Sequence, residues 1–308
     1  MKTNISLILI LCLLLGACKN GNASSQSKSE TPQDTIKAIK MPAIPQMMTA
    51  PEQRADFLAK HYWDNVNFAD TNYIHHPEVT EQDYCDLLNH VPLETAQQAM
   101  RNVIDRTNVD KKVFTYITDL ADKYLYDPNS PMRNEEFYIP VLEAMIASPV
   151  LNETEKIRPQ ARLKLAQKNR IGTKALNFTY TLASGAQGSL YQLKAEYLLL
   201  FINNPGCQAC TETIEGLKNA PIINQLLQEK KLVLLSIYPD EELDEWKKHL
   251  SEFPNEWING YDKKFTIKEE QVYDLKAIPT LYLLDKDKTV LLKDATAPAI
   301  EAYLMQHQ

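Results

Sequence analysis

The stretch that decides the fold is EYLLLFINNPGCQAC, residues 196–210. Its apolar run YLLLFI is typical of a central strand that is buried on both faces of a sheet. A short loop follows, then Cys207 and Cys210, and then a helical pattern that begins at Thr211. The sequence therefore predicts a buried strand that leads into a CxxC pair at the start of a helix.

The chemistry expected of this cysteine pair is thiol–disulfide exchange. The reactive form of a cysteine is its thiolate, and the N–H groups and the dipole at a helix start favour negative charge. We expect Cys207 to be the exposed attacking thiol and Cys210, one helical turn further in, to resolve the mixed disulfide. Two alternatives stay open. A zinc site needs four ligands, and no second CxxC or nearby His-x-x-x-His is present; a purely structural disulfide would suit an oxidising compartment.

Strands and helices alternate on the C-terminal side of residue 170. The predicted strands are 175–181, 196–203, 232–238, 280–284 and 289–292. One predicted helix begins at Thr211, and three others cover 222–228, 241–250 and 298–306. Ile278-Pro279-Thr280 opens the fourth of these strands. This is the order of elements in the thioredoxin fold. We predict an α/β thioredoxin-like domain at 171–308, with a central mixed sheet flanked by helices.

This region resembles the thioredoxin-like domain of the TlpA/ResA group of exported thiol–disulfide oxidoreductases. The resemblance is carried by IGTKALNFTY at 171–180, by GSLYQLK at 188–194, and by the CxxC pair together with Ile-Pro-Thr. It implies that Cys207 is the nucleophile and Cys210 the resolving thiol. It also implies that Pro279 is cis beside the sulfurs and that the Ile278 backbone pairs with a bound peptide. Protein thiols or disulfides would be the partners, and no cofactor would be needed.

Four positions depart from the pattern of that group. Pro205-Gly206 replaces the aromatic residue that usually precedes the first cysteine, and Gln208-Ala209 lacks the proline common between the cysteines. Phe201 stands where thioredoxin has a buried aspartate. Thr213 stands where the group has a carboxylate, with glutamates only beside it. The sequence therefore assigns no base to the second half-reaction, and it does not determine the direction of electron flow.

The N-terminal segment indicates export. Lys2 precedes an apolar run at 5–15, which is too short for the roughly 20 residues that span a bilayer. Leu15-Gly16-Ala17-Cys18 resembles the bacterial lipobox, so we predict a signal peptide at 1–17, a lipid on Cys18 and a flexible tether at 18–50. An ordinary signal peptide with an incidental cysteine is the alternative.

Residues 51–170 are predicted to form an all-α domain. Apolar residues recur at helical spacing, as in the stripe Ala96, Met100 and Val103, and Asp-Pro-Asn-Ser-Pro at 127–131 breaks the pattern. Thr80-Glu81-Gln82-Asp83 has the form of a capping box, and a last helix is expected at 153–169. Cys85 is expected to pack as a small apolar residue; its alternative role is a third thiol that receives electrons from the CxxC pair.

Length and composition limit the class of protein. The chain has 308 residues, about two domains, and five cysteines, too few for a disulfide-stapled scaffold. Lys and Arg number 33 and Asp and Glu 40, so a net charge of −7 offers no basic surface for nucleic acid. Apolar residues make up 44% of the chain, as in globular proteins.

The function predicted from these observations is that of a thiol–disulfide oxidoreductase. It would be lipid-anchored in a bacterial envelope, would face the periplasm, and would exchange disulfides with partner proteins through its CxxC pair without metal or cofactor. The alternative is a binding or scaffold lipoprotein whose helical domain holds a partner or a glycan and whose redox site is vestigial. The sequence does not determine the partner, the oligomeric state or the membrane leaflet.

Overall fold

The structure, a computed structural model, describes residues 39–307. The predicted signal peptide, the lipidation site Cys18 and most of the predicted tether lie outside these residues. No helix in the described part of the chain is both long enough and apolar enough to cross a bilayer.

The first half of the described chain is helical. Its helices are α1 (Pro51–His61), α2 (Pro77–His90), α3 (Leu93–Thr107), α4 (Lys111–Ala121), α5 (Glu135–Ala147) and α6 (Glu153–Ala166). A π-helical turn, Asp122–Tyr126, extends α4 up to the predicted Asp-Pro-Asn-Ser-Pro break. The predicted stripe on α3 is buried in a core that all six helices share. The predicted all-α region is therefore confirmed.

Three details of the helical half differ from the predictions. The capping box at Thr80 is wrong, because α2 already begins at Pro77, whose fixed φ suits the first helical position; the Thr80 hydroxyl donates to the Tyr73 carbonyl. The sequence also predicts a helix at 136–147 that Pro140 would kink or delay; α5 instead begins at Glu135, where the Asn134 side chain caps its first turn. The last helix stops at Ala166, before Asn169 adopts a left-handed φ of 51°.

The second half contains a seven-stranded mixed sheet in the order β2-β1-β5-β4-β3-β6-β7. The strands are β1 (Thr179–Leu182), β2 (Gln187–Ser189), β3 (Tyr197–Ile202), β4 (Leu232–Tyr238), β5 (Ile258–Tyr261), β6 (Thr280–Asp285) and β7 (Val290–Lys293). The helices are α7 (Gln208–Lys218), α8 (Pro221–Gln228), α9 (Leu243–His249), α10 (Thr266–Glu269) and α11 (Ala297–Gln306). β3, β4 and β5 are parallel, and the other pairs are antiparallel. The predicted thioredoxin-like fold class is confirmed.

β3 is the strand that positions the cysteine pair. It pairs in parallel with β4 and antiparallel with β6. Its two faces belong to different apolar cores, one shared with α7, α8 and α11 and one that includes Phe178, Ile267 of α10 and Tyr273. Burial on both faces explains the continuous apolar run of its sequence. Cys207 and Cys210 follow at its carboxyl end, where ligands bind in open α/β sheets.

The helical half and the sheet half are joined by polar contacts. The Asn169 side chain donates to the Val272 carbonyl at 2.7 Å and accepts the Leu176 N–H at 2.7 Å. Lys168 Nζ donates to the Gln271 carbonyl at 2.6 Å. These contacts fix the segment that links α6 to β1 against the loop before β6.

Candidate active site

Cys207 occupies the N-cap position of α7. Gly206, just before it, has a left-handed φ of 70°, which a residue without a Cβ adopts at no steric cost. The Cys210 N–H donates to Cys207 Sγ at 3.4 Å. The helix starts three residues earlier than the sequence predicted, so the sulfur of Cys207 lies at the helix terminus, beside N–H groups that have no partner within the helix.

Besides the Cys210 N–H, Cys207 contacts the loop before β6. The Cys207 thiol donates to the Ile278 carbonyl at 3.8 Å, and the Ile278–Pro279 peptide bond is cis, as the resemblance implied. The fold thus brings Cys207, Cys210 and Ile278 together. Their roles in catalysis and in binding substrate stay predictions.

Cys210 differs sharply from Cys207 in environment. Its side chain is buried, whereas Cys207 is half-buried, and both are free thiols in this structure. Burial raises the pKa of Cys210 to about 12, although an N–H bond from Asn204 opposes the shift. This asymmetry is what an attacking thiol and a resolving thiol require, because only the accessible sulfur can meet a substrate.

The positions that depart from the group pattern have structural roles. Phe201 is fully buried and packs edge-on against Trp257, with ring centroids 6.4 Å apart. The Thr213 hydroxyl donates to the Ala209 carbonyl at 2.8 Å and is committed to its own helix. The exposed Glu212 accepts from Gln208. Neither the Phe201 position nor the Thr213 position therefore supplies a base.

A cleft of about 690 Å³ lies beside the CxxC pair. It is lined by α7, by the loop of residues 277–279, by the start of α11 and, unexpectedly, by the helical half. Pro128, Asn129 and Arg133 contribute this last wall. The sequence did not predict these three residues, because residues 127–131 have only the pattern of a break between helices and no local pattern marks Arg133.

A buried cluster of charges supports the cleft. Lys276 Nζ lies 2.9 Å from Glu135, 3.0 Å from Asp274 and 3.3 Å from Asp294. Lys293 Nζ lies 2.5 Å from the other oxygen of Glu135. Burial lowers the pKa of Lys276, but the surrounding carboxylates outweigh burial and raise it. The cluster is therefore a set of charges that compensate one another at the junction of the two halves.

Two other candidate features of the sequence are the third thiol, Cys85, and a possible metal site. Cys85 is half-buried on α2, and burial raises its pKa. Across residues 39–307, no group of three or more His, Cys, Asp or Glu side chains could hold a metal ion.

Comparisons with known proteins agree with this architecture. Two family models match the chain: a domain of unknown function (DUF5106) at residues 17–169 and a thioredoxin-like domain at 195–290. The chain is similar to a thioredoxin-like protein from Bacteroides caccae of known crystal structure, at 83% identity over 89% of this chain and 100% of that one, with a TM-score of 0.86. It is also similar to the C-terminal domain of an uncharacterized protein from Bacteroides fragilis, at 69% identity over 44% of this chain and 98% of that one, with a TM-score of 0.44. A comparison with curated proteins found no match.

Proposed function

Because the chain belongs to the thioredoxin-like proteins, we propose that it is a thiol–disulfide oxidoreductase that exchanges disulfides with partner proteins through Cys207 and Cys210. One observation carries the proposal. The half-buried Cys207 sulfur caps α7, accepts the Cys210 N–H and lies beside the Ile278 carbonyl, whereas Cys210 is buried behind it. These are the positions that an attacking thiol and a resolving thiol need.

In the reducing direction, the Cys207 thiolate attacks one sulfur of a substrate disulfide. A bond forms between the two sulfurs, the substrate disulfide breaks, and the other substrate sulfur leaves as a thiolate. Cys210 then loses its proton and attacks Cys207, which forms the Cys207–Cys210 disulfide and releases the second substrate thiol. Two electrons pass from the cysteine pair to the substrate. The reverse sequence of steps oxidises a substrate dithiol.

The backbone at Ile278 is proposed to align the substrate. Its carbonyl lies beside Cys207 Sγ and accepts the thiol hydrogen in the resting structure. When the thiol ionises, this acceptor becomes available to a peptide N–H of the substrate. Such a bond would orient a substrate disulfide for attack along the axis of its two sulfurs.

The test of the redox function is insulin reduction together with covalent trapping. The purified protein should reduce insulin, and Cys207→Ser should abolish this activity. Cys210→Ser should accumulate mixed disulfides with specific partners, because the resolving thiol is missing. Cys85→Ser is the matched control, since that thiol lies on α2, and it should retain activity. Equal activity of wild type and Cys207→Ser, without trapped partners, would contradict the proposal and favour the binding or scaffold function.

We also propose that the protein is held at the bacterial envelope by a lipid on Cys18, facing the periplasm. The lipobox-like Leu15-Gly16-Ala17-Cys18 supports this proposal. Cells that express the wild type should incorporate a radiolabelled fatty acid into the protein and retain it in the membrane fraction. Cys18→Ala should lose both properties. Labelled Cys18→Ala would contradict lipidation at this residue.

A further inference from the structure

The cleft beside Cys207 is a composite of the two halves of the chain. On one side α7 presents the small residues Ala209 and Gly216, which leave room between the walls. On the other side stands the loop before α5, with Arg133 at its end. A volume of about 690 Å³ is within the range of roughly 300–1,000 Å³ that is typical of clefts for drug-sized ligands.

The helical wall of the cleft is held in place before any ligand binds. Within the loop, the Asn129 N–H donates to Asp127 at 2.8 Å, and the Ser130 hydroxyl donates to the Tyr124 carbonyl at 2.6 Å. Arg133 Nη2 donates to the Asp294 carbonyl at 2.8 Å, across the junction. Because this wall is preformed, its loop loses little further conformational entropy when a ligand binds.

Arg133 forms no direct salt bridge with a described carboxylate, although its charge, together with that of Lys276, outweighs burial and lowers the pKa of Asp294. Glu135 is paired with Lys276 and Lys293, and Asp294 is bound by Lys276 and by the Thr280 hydroxyl. By contrast, among the described residues Arg133 has no carboxylate oxygen within 4 Å, and the one hydrogen bond of its side chain goes to the neutral Asp294 carbonyl. Its remaining guanidinium N–H groups are available to a ligand.

The opposite wall carries one charge of the other sign. Glu212 is exposed on α7, and its carboxylate accepts from Gln208 at 2.9 Å. Its negative charge would repel a ligand carboxylate from the α7 wall. A ligand carboxylate would therefore bind on the opposite wall, at Arg133. The charges of the two walls therefore orient a ligand across the cleft.

We propose that the cleft binds an extended segment of a client protein that carries an acidic side chain close to its cysteine, with that carboxylate on Arg133. The proposal rests on the proposed function, because the cysteine of the segment would meet Cys207. The planar guanidinium offers paired N–H donors, which match the two oxygens of a carboxylate. The helical half would thus select which disulfides the thioredoxin-like half exchanges.

The test uses binding without redox chemistry. Fluorescein-labelled nine-residue peptides carry serine in place of cysteine, with Glu, Gln or Lys placed in turn at each of the three positions on either side. Fluorescence anisotropy measures their affinity for the reduced protein at low salt. At one or more positions the Glu peptide should bind about three- to tenfold more tightly than the Gln peptide, and the Lys peptide more weakly than both. Arg133→Met should remove this difference.

Two further variants keep the test decisive. Arg54→Met is the matched control, since Arg54 is an exposed arginine of α1 outside the cleft, and it should preserve the preference for Glu. Glu212→Gln removes the opposing carboxylate and should increase the affinity for the Glu peptides. Equal affinity for all three peptides in the wild type, or a preference that persists in Arg133→Met, would overturn the proposal.

The redox function is measured separately, as reduction of a small uncharged disulfide by the wild type. If that reaction fails while the Glu preference depends on Arg133, the proposed oxidoreductase function is lost but the acidic-segment site stands. If the small disulfide is reduced and no peptide shows a charge preference, the proposed oxidoreductase function stands and the acidic-segment site is lost.

Discussion

Lys276 and Glu135 form a salt bridge of 2.9 Å, although 141 positions separate them in the sequence. Lys276 lies two residues before Ile278, and Glu135 is the first residue of α5. Their side chains are only 8% and 12% exposed. One pair of buried charges therefore ties the loop beside Cys207 to the helix that follows Arg133. The geometry of the cleft depends on this junction.

Glu135→Gln should strongly destabilise the protein. The substitution leaves Lys276 and Lys293 with less compensating charge in a buried site, and removing one partner of a buried pair costs about 3–5 kcal/mol. Urea unfolding measures the free energy of unfolding. Glu215→Gln is the control, because the pair of Glu215 with Lys218 is exposed and should be worth less than about 1 kcal/mol. Equal losses in the two variants would show that the buried cluster does not stabilise the junction.

Asp294 should make the stability of the protein sensitive to acid. Burial raises its pKa, but Lys276 and Arg133 outweigh burial and hold the pKa below its ordinary value. Its stabilising contribution is therefore fully present above the pKa of the unfolded carboxyl, about 3.9, and is lost as the pH falls below that value through the folded pKa.

The measurement compares wild type with Asp294→Asn by urea unfolding between pH 2 and pH 7. Wild type should be more stable by about 3–5 kcal/mol at pH 7, and the difference should shrink below about pH 4. Asp244→Asn, at an exposed position of α9, should show little difference at any pH. A gap for Asp294→Asn that stays constant down to pH 2 would contradict the prediction.

Cys210 should resist alkylation far into the alkaline range. Burial, the largest cause, raises its pKa to about 12, so at a given pH less thiolate is present than in an ordinary cysteine. In Cys207→Ser, the rate of iodoacetamide reaction at Cys210 should still rise above pH 10. Mass spectrometry of the digested protein measures the rate at this residue alone. The same variant unfolded in urea is the control, and its rate should level off above about pH 9, since a free cysteine has a pKa of about 8.5. Levelling off near pH 9 in the folded protein would contradict this prediction.

Phe201 should contribute to stability and not to proton transfer. Its ring is fully buried in the core that β3 shares with α7 and packs edge-on against Trp257, so Phe201→Ala should cost about 3–5 kcal/mol. Urea unfolding of this variant is compared with Leu93→Ala, which truncates a side chain that is 56% exposed and should cost about 0.5 kcal/mol or less. A small effect of Phe201→Ala would mean that the site beneath the cysteines is loosely packed.

Elements with a strong local pattern could be predicted from the sequence. The predicted strand at 232–238 coincides with β4, and the predicted stripe on α3 is buried, because hydrophobic periodicity reports directly which face meets a core. β5 was not predicted, since its Asn259-Gly260 is typical of a turn. It becomes a strand because β4 offers it a parallel edge.

The candidate site divides in the same way. Cys207 and Cys210 could be predicted because a strand, a short loop and a helix follow one another within residues 196–210. Ile278 and Pro279 could be predicted only through a family resemblance. Arg133 could not be predicted at all, because no local pattern links residues 127–133 to a cleft on another part of the fold. The roles of these residues and the boundaries of the two domains stay predictions.

By itself, the sequence determined the thioredoxin-like fold class and the place of the cysteine pair at the carboxyl end of a buried strand. Local hydrophobic pattern and a contiguous motif suffice for both. Only the tertiary structure decided what surrounds the sulfur of Cys207, because its neighbours come from distant segments. Ile278 lies 71 positions away, and Arg133 meets Asp294 across 161 positions. Such contacts form through packing of whole elements and buried compensating charges, which leave no periodic signal in the chain.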